Sequence, residues 1–283
     1  MTILVTGGRG HVARSLTGKL LDAGEKVRVG TTTPDGFPAT DAEVVELDLA
    51  RPETFAAALD KVTTVFLYAR PEGVDELVQA MERSGVEAVT LLSTRSLTFD
   101  GADSNPIAQM HAAVEKVLSR SAIPWTFLRA GTFATNTLQW AKSIRSEGLV
   151  RAPYPNSHAA AIHEADIADV AVLSLTQDGH ARRSYVMSGP VSLTQRQQVE
   201  AISQATGREI EFVDIDPDEY RETLKRWGQG QFVDQLLRYL TMWDGKPVPV
   251  VDVRKQLTGR PGRGYAQWAI DHAEDFQQRA EKS

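Results

Sequence analysis

The 283-residue chain sets 31 Lys and Arg against 37 Asp and Glu, a net charge of −6, which argues against a broad basic face for nucleic acid. It has no cysteine, which excludes disulfides, thiolate catalysis and cysteine-ligated metal. Hydrophobic residues at 42% allow a sizeable core. No stretch approaches the ~18 continuous apolar residues of a membrane span and no secretion leader is read ahead of the first apolar run, so a soluble, cytoplasmic protein is expected.

Short apolar runs alternate with helical periodicity through the first half. A strand at 3–5 precedes a helix over 12–23, where Val12, Leu16, Leu20 and Leu21 share a face and Gly24 is the stop. Strands follow at 27–29 and 44–47. A short helix at 52–59 has Pro52 near its start. Next come a strand at 64–68, a helix at 74–84, a strand at 88–92, a helix at 106–121 and a strand at 125–128. Thr64-Val65-Phe66-Leu67-Tyr68 is mostly apolar on both faces, as strands of a covered parallel sheet are. The alternation predicts right-handed βαβ units and an α/β fold with a doubly wound, Rossmann-type parallel sheet.

The second half is less regular. It predicts a helix at 133–144, a loop over 149–161 containing Pro153 and Pro155, and a helix at 167–175 with Asp166 as its N-cap. A strand at 184–187 ends at Gly189-Pro190, and a helix at 194–206 ends at Gly207. A strand at 210–213, helices at 217–227 and 232–243, a strand at 250–253 and a helix at 265–280 complete the chain. The loops at 228–230 and 260–264 are expected to be mobile.

Between the first strand and helix stands Thr6-Gly7-Gly8-Arg9-Gly10-His11-Val12-Ala13. Gly7, Gly10 and Ala13 form G-x-x-G-x-x-A. A glycine at the turn tolerates positive φ. The next lets backbone approach a pyrophosphate, and the small third residue lets helix and strand pack closely. Free N–H groups and the helix dipole favour an anion there. In this βαβ context the stretch reads as a dinucleotide cradle. An acid after the second strand would bond a ribose 2′-OH and favour NAD. Gly30-Thr31-Thr32-Thr33 stand there instead, with no acid before Asp35. Arg9 is then the candidate partner of a 2′-phosphate, with Thr31 and Thr32 assisting, and NADP is the expected cofactor, with NAD as the alternative.

The cradle is joined by Asp48-Leu49, L-L-S-T at 91–94, T-F-L-R-A-G-T-F at 126–133, I-H-E-A-D-I-A-D-V at 162–170, Y-V-M-S-G-P at 185–190 and L-T-G-R-P at 257–261. In order and spacing these resemble the NmrA-like branch of the atypical short-chain dehydrogenase/reductases, over nearly the whole chain. That branch includes NAD(P)H-dependent quinone and dye reductases, and cofactor-binding regulators without turnover. The resemblance implies that Thr6, Gly7, Arg9, Gly10, His11 and Val12 line the pyrophosphate and ribose. It puts Asp48 and Leu49 beside the adenine, and Tyr68, Ala69 and Arg70 near its ribose. Ser93 and Thr94 would lie beside the nicotinamide, and Ala130, Gly131 and Phe133 near its amide. It also implies an NAD(P)-binding domain over 1–190, with 133–160 dipping into a smaller, mostly helical substrate-binding part over 191–283.

Orthodox members of the superfamily use Tyr-x-x-x-Lys with a serine. The matching place here reads His111-Ala-Ala-Val-Glu115-Lys116, with His111 and Glu115 on one helix face. His111 is a candidate general acid near neutral pH, against a surface or ribose-contacting role. Ser93 and Thr94 are candidate hydrogen-bond donors. Phe133, Asn136, Trp140, Tyr154, His163 and Trp243 are candidate walls of a substrate pocket. No metal is expected. The implied activity is NADPH-dependent hydride transfer to a quinone-like, aromatic or imine-like small molecule. The alternatives are an NAD(P)-sensing regulator or a cofactor-binding enzyme of isomerisation or cyclisation. Neither nucleic acid nor membrane is an expected partner; an oligomer is compatible with the sequence.

Overall fold

A computed structural model describes residues 1–226 and 230–277. The apolar runs of the first half become β1 (Thr2–Val5), β2 (Lys26–Thr31), β3 (Glu43–Glu46), β4 (Thr64–Tyr68), β5 (Ala88–Thr94) and β6 (Trp125–Ala130). The periodic segments between them become α1 (His11–Asp22), α2 (Phe55–Leu59), α3 (Val74–Arg83) and α4 (Pro106–Arg120). Local chemistry sets their ends. Asn105 accepts the N–H groups of Ile107 and Ala108, and Pro106 opens α4 without losing an intrahelical bond.

Further on lie α5 (Ala141–Glu147), β7 (Leu149–Ala152), β8 (His158–Ala159), α6 (Glu164–Thr176), β9 (Arg183–Met187) and β10 (Leu193–Thr194). They are followed by α7 (Gln195–Thr206), β11 (Glu211–Asp214), α8 (Pro217–Arg226), α9 (Gly230–Met242), α10 (Val253–Thr258) and α11 (Tyr265–Asp271). Thr194 and Gln197 cap α7 reciprocally, and Gly207 ends it in the left-handed region at φ 65°.

Several expectations are corrected. The helix predicted over 133–144 is a 3-10 stretch, Ala134–Trp140, leading into α5. The loop predicted over 149–161 contains β7 and β8, because each finds a partner distant in sequence: β7 pairs with β11 and β8 with β10. Asp166 is no N-cap. The helix begins at Glu164, and Asp166 sits inside its first turn against Arg254. The apolar run at 250–253 is not a strand: Val250 is exposed, and Val253 opens α10. The last helix stops at Asp271, followed by a 3-10 turn. The helix end expected at 227, most of the loop at 228–230 and the helix end at 278–280 lie outside the described residues.

Seven strands form one sheet in the order β3-β2-β1-β4-β5-β6-β9, every pairing parallel. This is the doubly wound, Rossmann-type sheet. Val65, Phe66 and Leu67 are at most 1% exposed, so both faces of the central strand are covered. Side chains from α2, α3 and α4, among them Phe55, Leu77 and Val114, form a core cluster with the strands. Elsewhere α1 packs on α6, with Lys19 and Asp169 2.6 Å apart. Strand order reverses between β1 and β4, and at such a switch point open α/β sheets bind ligands beyond the strands' carboxyl ends.

The chain divides into two compact units. The first takes Met1–Gly131, Glu164–Met187 and Val253–Arg260, and holds the sheet. The second takes Thr132–His163, Ser188–Asp252 and the chain from Pro261 onward. Its core gathers Ile144, Val150, Ile202, Trp268 and Phe276.

Candidate functional site

The glycines between β1 and α1 are required by what lies over them. Gly7 has φ 64°, and a Cβ there would stand 2.8 Å from Cδ2 of Tyr68. A Cβ on Gly10 would stand 2.8 Å from the Tyr68 hydroxyl oxygen, and one on Gly8 would collide with Cγ1 of Val29. The loop is tied down on both sides: Gly8 N–H donates to the Gly30 carbonyl at 3.2 Å, and Tyr68 N–H donates to Thr6 Oγ1 at 2.9 Å. Helix α1 has no side-chain cap and no acid in its first turn. Its leading N–H groups thus have no partner within the helix.

A cleft of about 480 Å³ opens beside this loop. Thr6, Gly7, Arg9, Thr31 and Thr32 line one part of it, and Leu49, Tyr68, Ala69 and Arg70 another. Leu47, Leu67 and Met110 also line it and were not read from the sequence. Their only signal was apolar character at strand ends and on a helix. Arg9 is held by the loop after β2. Its Nη2 donates to the carbonyls of Thr33 at 2.9 Å and Asp35 at 3.3 Å, and its guanidinium lies 5.2 Å from the Phe37 ring centroid. Arg70 is exposed and makes no hydrogen bond or ion pair among the described residues. The Asp48 carboxyl is held below the usual carboxylate range, first by the N–H of Ala50 and then by Arg51. His11 Nδ1 lies 3.1 Å from Arg14 Nη2, and Val12 is buried. A glycine loop with no side chains of its own, apolar walls for a flat base, threonine hydroxyls and two arginines together fit a dinucleotide.

At the carboxyl ends of β5 and β6, register pairs Ser93 with Arg129. Glu115 reaches them from α4. Ser93 Oγ donates to Glu115 Oε1 at 2.6 Å, and Arg129 donates through Nε at 2.9 Å and Nη2 at 2.5 Å. Ser93 is 2% exposed and Glu115 7%. One turn earlier on α4, burial pushes the His111 imidazole down to about 4, with Glu115 opposing weakly. Its Nδ1 is buried without a partner among the described residues. At neutral pH His111 is therefore a neutral ring that can donate or accept one hydrogen bond. Thr94 accepts the Ser96 N–H at 3.2 Å, capping the short 3-10 turn Arg95–Thr98. Ala130 is buried, and Gly131 N–H donates to the Met187 carbonyl at 2.9 Å.

The remaining candidates lie in the second unit. Phe133 pairs with Ile162 in a parallel bridge, and Asn136 is exposed. Trp140 belongs to that unit's core. Tyr154, at φ 59°, lines a hollow of about 540 Å³ with Asp214 and Asp216. His163 is 4% exposed, its Nε2 3.1 Å from Asp271 Oδ2. The Trp243 carbonyl accepts the His158 N–H at 3.1 Å. Among the described residues no cluster of His, Asp and Glu could hold a metal ion, and no helix is long and apolar enough to cross a membrane.

Residues 7–178 match a family model described as NAD(P)H-binding. Among curated proteins, the chain is similar to a (4-alkanoyl-5-oxo-2,5-dihydrofuran-3-yl)methyl phosphate reductase of Streptomyces griseus: 35% identity, spanning 97% of this chain and 99% of that protein. It is also similar to an NAD(P)H azoreductase of Xenophilus azovorans, at 28% identity over 97% of this chain and 99% of that one. Among solved structures, the Escherichia coli NADPH-dependent quinone oxidoreductase complexed with NADPH shares the fold. The TM-score is 0.78 at 20% identity, covering 95% of this chain and 99% of the other.

Proposed function

Because the chain belongs to the NAD(P)H-binding, NmrA-like atypical short-chain dehydrogenase/reductases, we propose that it is an NADPH-dependent reductase of a quinone-like, aromatic or imine-like small molecule in the cytoplasm. The observation that carries this reading is the cleft beside Gly7 and Gly10, with Leu47 and Leu49 for a base and Arg9 and Arg70 for phosphate. A bound nicotinamide supplies the hydride; the protein binds and orients it.

In this reading the first unit holds the dinucleotide. Arg9, with Thr31 and Thr32, takes the 2′-phosphate, Leu49 and Asp48 lie by the adenine, and Tyr68, Ala69 and Arg70 by its ribose. Thr6, Gly7, Gly10, His11 and Val12 form the cradle, and Ser93, Ala130 and Gly131 border the nicotinamide. The substrate-pocket candidates Phe133, Asn136, Trp140, Tyr154, His163 and Trp243 all belong to the second unit. His111, neutral, donates one hydrogen bond to the atom that gains charge; Ser93, whose proton goes to Glu115, and Thr94, whose proton goes to Ser96, flank it. The substrates named for the relatives include an azo compound and an oxo-dihydrofuran. Each carries a π bond that can pass charge to nitrogen or to a carbonyl oxygen. Such an acceptor spreads incoming charge, so it needs no tyrosine–lysine acid.

Fluorescence titration with NADPH and NADH, then nicotinamide absorbance with a panel of quinones, azo dyes and unsaturated lactones, tests this. Tighter binding of NADPH and acceptor-dependent oxidation are expected. NADPH binding without oxidation by any acceptor would leave the NAD(P)-sensing regulator as the better reading. Failure to bind either nucleotide would refute both.

A further inference from the structure

Helix α1 starts at Gly10, which has no side chain to cap it, and its first turn holds no acid. The group that faces the Val12 and Ala13 N–H groups comes from β4: it is the hydroxyl oxygen of Tyr68. That ring is fixed on three sides. It lies on Gly7, where an added Cβ would come within 2.8 Å of Cδ2 and 3.0 Å of Cγ. Its oxygen lies on Gly10. It stands edge-on to Phe66, with centroids 5.8 Å apart at 82°. The ring therefore lies across the bare glycine surface, with its oxygen at the positive end of the helix.

Glycine surface and first-turn amides are the two features with which such a loop takes a pyrophosphate. Resting on the proposed nucleotide site, we infer that Tyr68 is a built-in occupant of the phosphate cradle, which the nucleotide's pyrophosphate displaces. Burial pushes the Tyr68 phenol up to about 12, so at neutral pH the occupant is an uncharged acceptor. A diphosphate brings full negative charge to the same amides and the helix dipole, and wins the exchange. A ligand without a diphosphate has no reason to move the ring. Tyr68 thereby makes binding depend on the diphosphate.

The test is titration of wild type, Tyr68→Phe and Tyr68→Ala with NADPH, NADH and adenosine 2′-monophosphate, alongside NMR of protein labelled with carbon-13 in its tyrosine rings. Tyr68→Phe removes the contact to the amides and keeps the ring. It should bind NADPH about fivefold more tightly, the scale of one net hydrogen bond. Tyr68→Ala should also bind more tightly. The affinity of Tyr68→Phe for adenosine 2′-monophosphate should not change. One ring resonance, identified by its loss in Tyr68→Phe, should shift much further with NADPH, which displaces the ring, than with adenosine 2′-monophosphate, which only lies beside it. If wild type binds NADPH while that resonance stays still, or Tyr68→Phe binds no better, this inference is overturned and the nucleotide site stands. If no form binds NADPH or NADH, both fall.

Discussion

Arg129→Met should destabilise the protein by more than its surface exposure suggests. Glu115 is 7% exposed and takes both of Arg129's donated bonds. Removing one partner of a buried pair costs about 3–5 kcal/mol, because the other charge stays behind unpaired. The Arg129 side chain is 26% exposed, so water can follow the lost guanidinium, and Ser93 still donates to the carboxylate. A discounted loss of about 2–3 kcal/mol follows. Glu115→Leu is milder, about 1–2 kcal/mol, since the remaining arginine can turn to solvent. The double variant should lose no more than Glu115→Leu alone, a coupling of about 2 kcal/mol. Urea unfolding at pH 7, with midpoints compared at a constant slope, measures all four forms. Losses that simply add, or an Arg129→Met within about 0.5 kcal/mol of wild type, would refute the reasoning.

Arg9→Ala should raise the dissociation constant for NADPH about tenfold and that for NADH less than about twofold, since only NADPH offers the extra phosphate to an exposed guanidinium. Equal weakening would take Arg9 out of cofactor choice. For His111 the sign runs through the unfolded chain. Its ring takes a proton near pH 6.5 when unfolded but only near about 4 when folded. Stability present above pH 6.5 is therefore lost as pH falls toward 4, by about 1 kcal/mol per pH unit. His111→Gln should lose less melting temperature than wild type between pH 7 and pH 5; the same loss in both would show that His111 is not the group responsible.

The sheet was legible because its strands are apolar on both faces and its helices carry a 3.6-residue period, both local signals. β7 and β8 were not, since Pro153 and Pro155 mark that stretch as loop and its partners lie distant in sequence. Val250 to Val253 failed the other way: an apolar run with no strand beside it is not a strand. The glycine loop was readable from spacing alone. His111 and Glu115 could be put on one helix face from their separation, but Glu115's link to Ser93 and Arg129 depends on strand register and helix height, which no local pattern encodes. Tyr68 could be assigned to a strand end, while the direction of its ring emerged only from the absence of side chains on Gly7 and Gly10.

Arg254 reaches Asp169 at 2.7 Å and Asp166 at 3.3 Å, yet it belongs to the third passage of the chain through the first unit. On the ribosome the chain is made from its N-terminus, and domains generally fold in that order. Here the sheet, the glycine loop and α6 emerge early. Asp166, 2% exposed in the finished protein, then lacks Arg254 until the whole of Ser188–Asp252 has been synthesised. The unit that begins first is completed late, and a nascent chain released before Val253 carries a carboxylate suited to an interior it has not yet closed.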